Sequence, residues 1–256
     1  MKKYVLIAIL FGIQIVFATA KTKIVGALDP TYPPFEYYEK GISEIVGVDV
    51  DMVKAIAEEL GYEVEIQDMS YGGIMPALLA GKLDFIASPI TITDERKKNV
   101  NFSQPTSAAN LTILVNKSNK DIKDFADLKG KRIGAKTGTI SSTTAHKIEK
   151  AVVTDFDSGA NMIIALITNK IDAVIDENLV NDYLIKSPES DAKDKVKVVG
   201  KPFNDKIYAF AISKKQPQLA KDFDKAIKSL KKQGKWQAII DKWFANDYVK
   251  KGAFVK

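Results

Sequence analysis

The residues with the greatest chemical capacity in this chain are few, and their spacing does not make a catalyst. Cysteine is absent and His146 is the single histidine. That excludes disulfides, thiolate zinc sites, iron–sulfur clusters and a cysteine nucleophile, and leaves imidazole chemistry one candidate. His146 ends the polar run Ser141-Ser142-Thr143-Thr144-Ala145-His146, which reads as the first turns of a helix. With no nucleophile and orienting acid to pair with, it reads as a solvated surface side chain and not a base. Lys136-Thr137-Gly138 matches one element of serine β-lactamases. The Ser-x-x-Lys at Ser190 to Lys193 lies downstream of it, however, and Ser-Asp-Asn is missing. Gly134-Ala135-Lys136-Thr137 imitates the tail of a phosphate loop, with Lys129 where that loop needs glycine. Asp49-Val50-Asp51 offers two carboxylates to a metal, yet two acids at a helix start read as caps. No catalytic set, metal site or cofactor motif emerges, so the chain reads as a binder and not an enzyme.

Two segments carry binding chemistry. Arg96 follows Thr91-Ile92-Thr93-Asp94-Glu95, a polar loop after a buried strand. A guanidinium fork matches a carboxylate with two parallel hydrogen bonds, and neighbouring hydroxyls and N–H groups would complete an anion site. An ion pair with Asp94 or Glu95 is the competing use of that side chain. Tyr32-Pro33-Pro34-Phe35 sets rigid aromatics after a strand, where the ligand clefts of α/β proteins open. An aromatic plug in the core is the competing use there.

The elements that must position these groups alternate between strand-like and helix-like patterns, which predicts an α/β fold. Lys23 to Leu28 reads as a strand, and Val53, Ile56, Ala57 and Leu60 fall at helical spacing before Gly61. Tyr62, Val64 and Ile66 alternate as a half-buried strand, a helix around Met75 to Ala80 stops at Gly81, and Leu83 to Ala87 is a short strand. Leu111 to Val115, Arg132 to Ala135, Ala173 to Ile175, Val196 to Val199 and Tyr208 to Ile212 are further strand candidates. Two amphipathic helices close the chain, one on Leu219, Phe223, Ala226, Ile227 and Leu230, the other on Trp236, Ile239, Ile240, Trp243 and Phe244. Asn116 to Asp127 and Ser187 to Lys195 read as exposed loops or helix starts.

The 256 residues suffice for one large domain or two small ones. With 46% hydrophobic and 27% charged residues, the chain is neither disordered nor a multi-pass membrane protein. Of the 38 basic residues only Arg96 and Arg132 are arginine. Lysine is the strongly hydrated cation of solvated surfaces, so the formal charge of +6 does not point to nucleic acid. At the start, Met1-Lys2-Lys3, the apolar run Tyr4 to Ala18 and Ala18-Thr19-Ala20 form a secretory signal peptide, predicted to be cleaved after Ala20. Its removal lowers the charge from +6 to +4, since two lysines and no acids leave. A freely diffusing exported protein, most simply periplasmic, is expected.

Read together in order, the motifs are specific. Tyr32-Pro33-Pro34-Phe35-Glu36-Tyr37, Gly47-Val48-Asp49-Val50-Asp51-Met52, Gly73-Ile74-Met75-Pro76-Ala77-Leu78 and Thr91-Ile92-Thr93-Asp94-Glu95-Arg96 are followed by Asn101-Phe102-Ser103, Asp127-Leu128-Lys129-Gly130-Lys131, Gly138-Thr139, Ile171-Asp172-Ala173-Val174 and Lys242-Trp243-Phe244. Over residues 22–248 the chain resembles the polar amino-acid-binding proteins of bacterial ABC transporters, family 3 of the solute-binding proteins. The resemblance implies a type II periplasmic-binding-protein fold, two lobes closing like a flytrap on a two-strand hinge. It maps lobe one to 21–109 plus 204–256 and lobe two to 110–203. It implies a monomer that takes a small amino acid, uses no cofactor and docks transiently on a membrane-embedded permease.

By the same resemblance, Arg96 would clamp an α-carboxylate with the N–H of Thr91, while the Gly138-Thr139 turn adds the N–H of Ile140. The α-ammonium would meet the Thr91 hydroxyl, the Pro89 carbonyl and Glu177, with Ser88 beside them on the same strand. Asp176 competes with Glu177 if the strand end shifts by one residue, and adjacent strand residues face opposite sides, so one of the two should reach the cleft. Tyr32 and Tyr71 would flank the ligand's side chain, and Asp29 and Lys136 would read its polar end. An acid and a lysine together suit a carboxamide, which donates and accepts, and the motif around Lys136 looks most like the glutamine-binding branch. Three departures stand out: Pro89 in place of glycine or serine, Ile140 in place of threonine, and glutamate at 177 where aspartate is usual. An arginine- or lysine-binding protein is the alternative within the family; a dehydratase or a sensing module on the same fold is the alternative outside it.

Overall fold

A computed structural model describes residues 21–39, 41, 43–186, 190 and 192–244. The expected signal peptide, residues 245–256 and part of the 187–191 loop lie outside the described residues.

β1 (Lys23–Leu28) is paired in parallel with β5 (Glu63–Asp68) on one side and β6 (Phe85–Thr91) on the other. A small sheet of β2 (Thr31–Tyr32), β3 (Glu36–Tyr38) and β4 (Ile45–Val46) follows β1. α1 (Val48–Leu60) and α2 (Tyr71–Ala80) make the crossovers, each stopped by a left-handed glycine, Gly61 or Gly81. α3 (Asp94–Asn99) and β7 (Val100–Phe102) lead into β8 (Ser107–Asn116). The second half carries β9 (Arg132–Lys136), α4 (Ile140–Ala145), β10 (Val152–Phe156), α5 (Gly159–Ile167), β11 (Ala173–Glu177) and α6 (Asn178–Lys186). β12 (Val196–Ser213) then returns, and α7 (Pro217–Lys232) and α8 (Lys235–Trp243) pack on the first half.

Strand order is β10-β9-β11-β8-β12-β6-β1-β5, with β7 also on β12. Each half buries side chains on both faces, as period-2 alternation requires. Ile24 and Leu28 meet α1 and α7 on one face, while Ala27 and Ile86 meet Ile74 and Leu78 on the other. In the second half, Ile113, Ile133 and Ile175 form one layer, and Leu114, Val174 and Met162 the other. The two halves are the lobes, and the antiparallel strands β8 and β12 are shared by both. Their pairing shifts register between Val199, Phe203 and Lys206, beside Gly200 and Asn204 at φ 70° and 57°. This irregular ribbon is the two-strand hinge.

Several expectations need correction. The separate strands at 196–199 and 208–212 are one crossing strand, because β8 pairs with both stretches. The strands expected to stop at Ala87, Ala135 and Ile175 continue to Thr91, Lys136 and Glu177, held by β12, β10 and β8 respectively. Pro89 is accommodated inside β6 because the ladder with β12 is irregular between Ala209 and Ala211, opposite it. Neither Asp49 nor Asp51 caps α1. Gly47 occupies that position at φ 143°, where a Cβ would lie 2.0 Å from the Phe35 carbonyl oxygen. Asp49 turns into the core, and Asp51 accepts from Lys242 Nζ (2.7 Å) and Trp243 Nε1 (2.8 Å), tying α8 to α1. His146 ends α4 instead of starting a helix, and its exposed ring lies 2.8 Å from Asp155.

Replacing Asp51 with alanine should therefore lower unfolding stability by about 1 kcal/mol, the net worth of a hydrogen bond whose lysine partner is solvent-screened. Denaturant melts of the two proteins measure it, and an unchanged midpoint would show that α8 docks through its apolar face alone.

Candidate functional site

The carboxyl ends of β1, β6, β9 and β11 converge where the lobes face each other, the position at which open α/β sheets bind ligands. A small cavity of about 10 Å³, room for a single water, lies there, lined by Tyr32, Tyr71, Pro89, Lys136, Thr139 and Glu177. Each is placed by a strand end or helix start: Tyr32 by β2, Tyr71 as the first residue of α2, Pro89 within β6, Lys136 and Glu177 as the last residues of β9 and β11, and Thr139 as the N-cap of α4.

One end of the cavity is cationic. The Lys136 side chain is 2% exposed, and its ammonium lies 3.1 Å from Asp29 Oδ2 and donates to Thr31 Oγ1 at 3.0 Å. It also stands 4.7 Å from the Tyr32 ring centroid and 5.6 Å from that of Tyr71. Asp29 is saturated, since it also accepts the Thr31 hydroxyl and the Tyr71 N–H. Asp29 therefore holds Lys136 and is not itself a wall of the cavity. Thr31 was not singled out from the sequence, and nothing in its local pattern marks it.

Glu177 lines the cavity and is buried. Its Oε1 accepts from the Tyr208 hydroxyl at 2.5 Å, while its Oε2 has no hydrogen-bond partner. Burial, reinforced by the Asp176 carboxylate, pushes its carboxyl up to about 8. Asp176 does not point away as the strand alternation suggested. Its carboxylate folds back at the strand end, where Oδ1 takes the Glu177 N–H (2.8 Å) and the Tyr32 hydroxyl (2.9 Å) from the other lobe. Burial raises the Asp176 carboxyl as well.

Arg96 lies on α3, capped by the Thr93 side chain, and not in a loop. Asp94 pairs with Lys97, and the guanidinium instead donates to the Thr91 carbonyl (3.1 Å) and, across the cleft, to the Gly138 carbonyl (3.3 Å). The Thr139 side chain caps α4 through the Ser142 N–H, which leaves the Ile140 N–H among the first-turn donors without an intrahelical acceptor. Thr91 contributes its carbonyl to Arg96 and does not line the cavity. Ser88 does not line it either: strand alternation turns its hydroxyl away from Pro89's side, to accept the Asp29 N–H. Pro89 lines the cavity, and its carbonyl accepts from the Tyr71 hydroxyl at 3.4 Å. Of the aromatic motif, Tyr32 lines the cavity and Phe35 is the core plug.

A two-lobed fold whose interlobe cleft holds a buried unpartnered carboxyl oxygen of Glu177 and the guanidinium of Arg96 has the polar groups to bind a small polar solute. The chain matches the model of the bacterial extracellular solute-binding proteins, family 3, over residues 24–246, and belongs to that family. It is 32% identical over 216 residues to a probable histidine-binding protein of Campylobacter jejuni, covering 84% of this chain and 82% of that one. It is 33% identical over 252 residues to the ABC transporter glutamine-binding protein GlnH of Bacillus subtilis, covering 96% and 86%. Among solved structures it is similar to an ancestral arginine-binding protein bound to arginine, with TM-score 0.81, 35% identity, and coverage of 88% and 99%.

The raised carboxyls have a consequence for stability. The folded protein holds the Glu177 proton up to about pH 8, whereas the unfolded chain releases it near 4.5. The folded state thus binds more protons between those values, and its stability falls as pH rises through the window, by at most about 1.4 kcal/mol per pH unit for one group. Chemical denaturation of the ligand-free protein from pH 5 to 8 should show that decline, and Glu177→Gln should make it shallower, the raised carboxyls of Asp176, Glu36 and Asp49 remaining. A stability that rises with pH over this range would refute the assignment.

Proposed function

We propose that this protein is the extracytoplasmic amino-acid-binding component of an ABC importer, exported by residues 1–20 and acting as a periplasmic monomer that delivers its ligand to a membrane permease. The observation that carries this reading is the unpartnered Oε2 of Glu177 in an interlobe cavity, with Arg96 donating across the same cleft to the Gly138 carbonyl. A buried acceptor without a donor is costly, and an α-ammonium supplies one. Arg96, now spending its fork on two carbonyls, would exchange Gly138 for the α-carboxylate, joined by the Ile140 N–H. We assign 21–109 plus 204–256 to lobe one and 110–203 to lobe two, a division supported by the register shifts of the β8–β12 ribbon.

For the ligand's side chain we favour a neutral polar group, glutamine first. Lys136 is the charged group at that end, its own charge is matched by Asp29, and a carboxamide oxygen accepts from an ammonium without adding a net charge. A free arginine or lysine side chain would meet Lys136 as a like charge in a desolvated site. The glutamine-binding relative supports the same choice. The raised Glu177 carboxyl favours one second reading, a dehydratase or lyase in which it donates a proton; recovery of unaltered ligand after prolonged incubation would exclude it.

Calorimetric titration with glutamine, asparagine, histidine, arginine, lysine and glutamate tests the proposal. Glutamine should bind most tightly, and arginine binding with glutamine silent would overturn the carboxamide assignment. Arg96→Ala should cost about 2–5 kcal/mol of affinity while the protein stays folded. Since the ligand's ammonium needs ionised Glu177, affinity should rise with pH up to about 8 with proton release on binding, a dependence that Glu177→Gln removes. Contacts from both lobes also predict a population shift to the closed state, and X-ray scattering should report it as a smaller radius of gyration in any ligand-free sample that starts open.

A further inference from the structure

A second cavity, of about 310 Å³, shares Tyr32 with the small one described above and is otherwise lined by different residues. Its size falls within the range of small-molecule pockets. The first lobe contributes Tyr32, Tyr37 and Tyr38 to its walls, and the second lobe Met162, Val180 and Leu184. The aromatic wall is set by contacts of its own. Tyr32 stacks on Phe35 at 5.8 Å, Tyr37 packs against Tyr183 at 5.9 Å and Trp243 at 6.3 Å, and the Tyr38 hydroxyl donates to Asp68. Among the described residues that line this cavity, Asp176 alone carries a charge. Its Oδ1 takes both of its hydrogen bonds, from Tyr32 and the Glu177 N–H. Its Oδ2 takes none among the described residues and, unlike Glu177 Oε2, is not sealed off. Lys136 favours the ionised form of Asp176 but is paired with Asp29.

An open carboxylate oxygen at the edge of an apolar, aromatic enclosure calls for an organic cation. An ammonium would give Oδ2 a charge-assisted hydrogen bond, and a flat apolar body would pack against the tyrosine rings. A carboxylate on the same molecule would meet Asp176 as a like charge, with no arginine or lysine in the described lining to hold it, so a free amino acid does not fit. We propose that this cavity is a second binding site, for a small arylalkylamine, with its ammonium on Asp176 and its ring among Tyr32, Tyr37 and Tyr38. The walls come from both lobes, so the occupant fastens one to the other. The inference is independent of the amino-acid reading, since Tyr32 is the single residue lining both cavities.

The test titrates the ligand-free protein with phenethylamine and with 2-phenylethanol, which keeps the ring and replaces the ammonium by a hydroxyl. Phenethylamine should bind saturably at one site, about tenfold or more tighter than the alcohol, the worth of a hydrogen bond to a charged group. Asp176→Asn should erase that difference. Ala160, exposed on α5, also lines the cavity, and Ala160→Trp should fill the space and abolish binding of both probes. Arg96→Ala, which alters the first cleft, should leave phenethylamine binding unchanged. No saturable binding of phenethylamine, or equal affinity for amine and alcohol, overturns the proposal. So does loss of amine binding on Arg96→Ala, which would put the amine in the first cavity. Should Asp176→Asn not fold, the amine-to-alcohol ratio of the wild type and the Ala160→Trp variant still decide.

Discussion

Taking the Lys136 ammonium out of water carries a desolvation penalty that a single ion pair does not reliably offset, and much of the interlobe seam is arranged around that difficulty. Asp29 supplies the countercharge, Thr31 a second acceptor, and Tyr32 and Tyr71 close the flanks. Because Asp29 and Lys136 follow different parallel strands, the pair forms only when the lobes meet. Arg96 repeats the pattern, donating from the first lobe to a carbonyl of the second. The closed arrangement is thus tied by donors whose acceptors stand on the facing lobe, and a solute carrying both charges can replace some of those acceptors.

Buried acids outnumber buried cations around the seam, and this sets the site's protonation. Glu36 and Asp49 lie behind it, fully enclosed, and burial together with their mutual repulsion drives the Glu36 carboxyl far above the usual range, as burial and Glu177 do for Asp49. Neither oxygen of Glu36 has a hydrogen-bond partner, although the Ser88 hydroxyl stands nearby without reaching bonding geometry. Lys136 cannot neutralise all of these groups, so protons must. A cationic ligand group arriving at Glu177 would take over from one of those protons, which couples occupancy of the cavity to pH through electrostatics alone.

Motion and binding are joined through the backbone. Most of each lobe's core is its own, although Leu179 and Val180 of α6 join the core of the first lobe, and the β8–β12 ribbon between them pairs irregularly and carries left-handed residues at Gly200 and Asn204. Glu177 ends β11 against Leu111 of β8, and Tyr208, which holds its carboxylate, lies on β12. Glu177, which lines the cavity, is therefore paired with one hinge strand and hydrogen-bonded to a residue of the other, so its charge acts beside the ribbon that joins the lobes.

Local order along the chain was sufficient for the α/β class, the glycine-stopped helices α1 and α2, the two C-terminal amphipathic helices and most strand cores, because period and capping are properties of neighbouring residues. The family resemblance, and not local pattern, nominated Tyr32, Tyr71, Pro89, Lys136, Thr139 and Glu177, the residues the fold gathers around one cavity. Local order could not show that two strand candidates are one crossing strand, since that depends on β8, 82 residues away in sequence at Lys197 and Val115. Nor could it show Asp51 serving α8 instead of its own helix, Ser88 facing away while Pro89 faces in, or Asp29 and Thr31 binding Lys136 and not the solute. Those outcomes depend on which distant groups share a desolvated space. Residue type states what a side chain can bond to; only the tertiary structure, by excluding water and bringing distant partners within three ångströms, decides which bond is made.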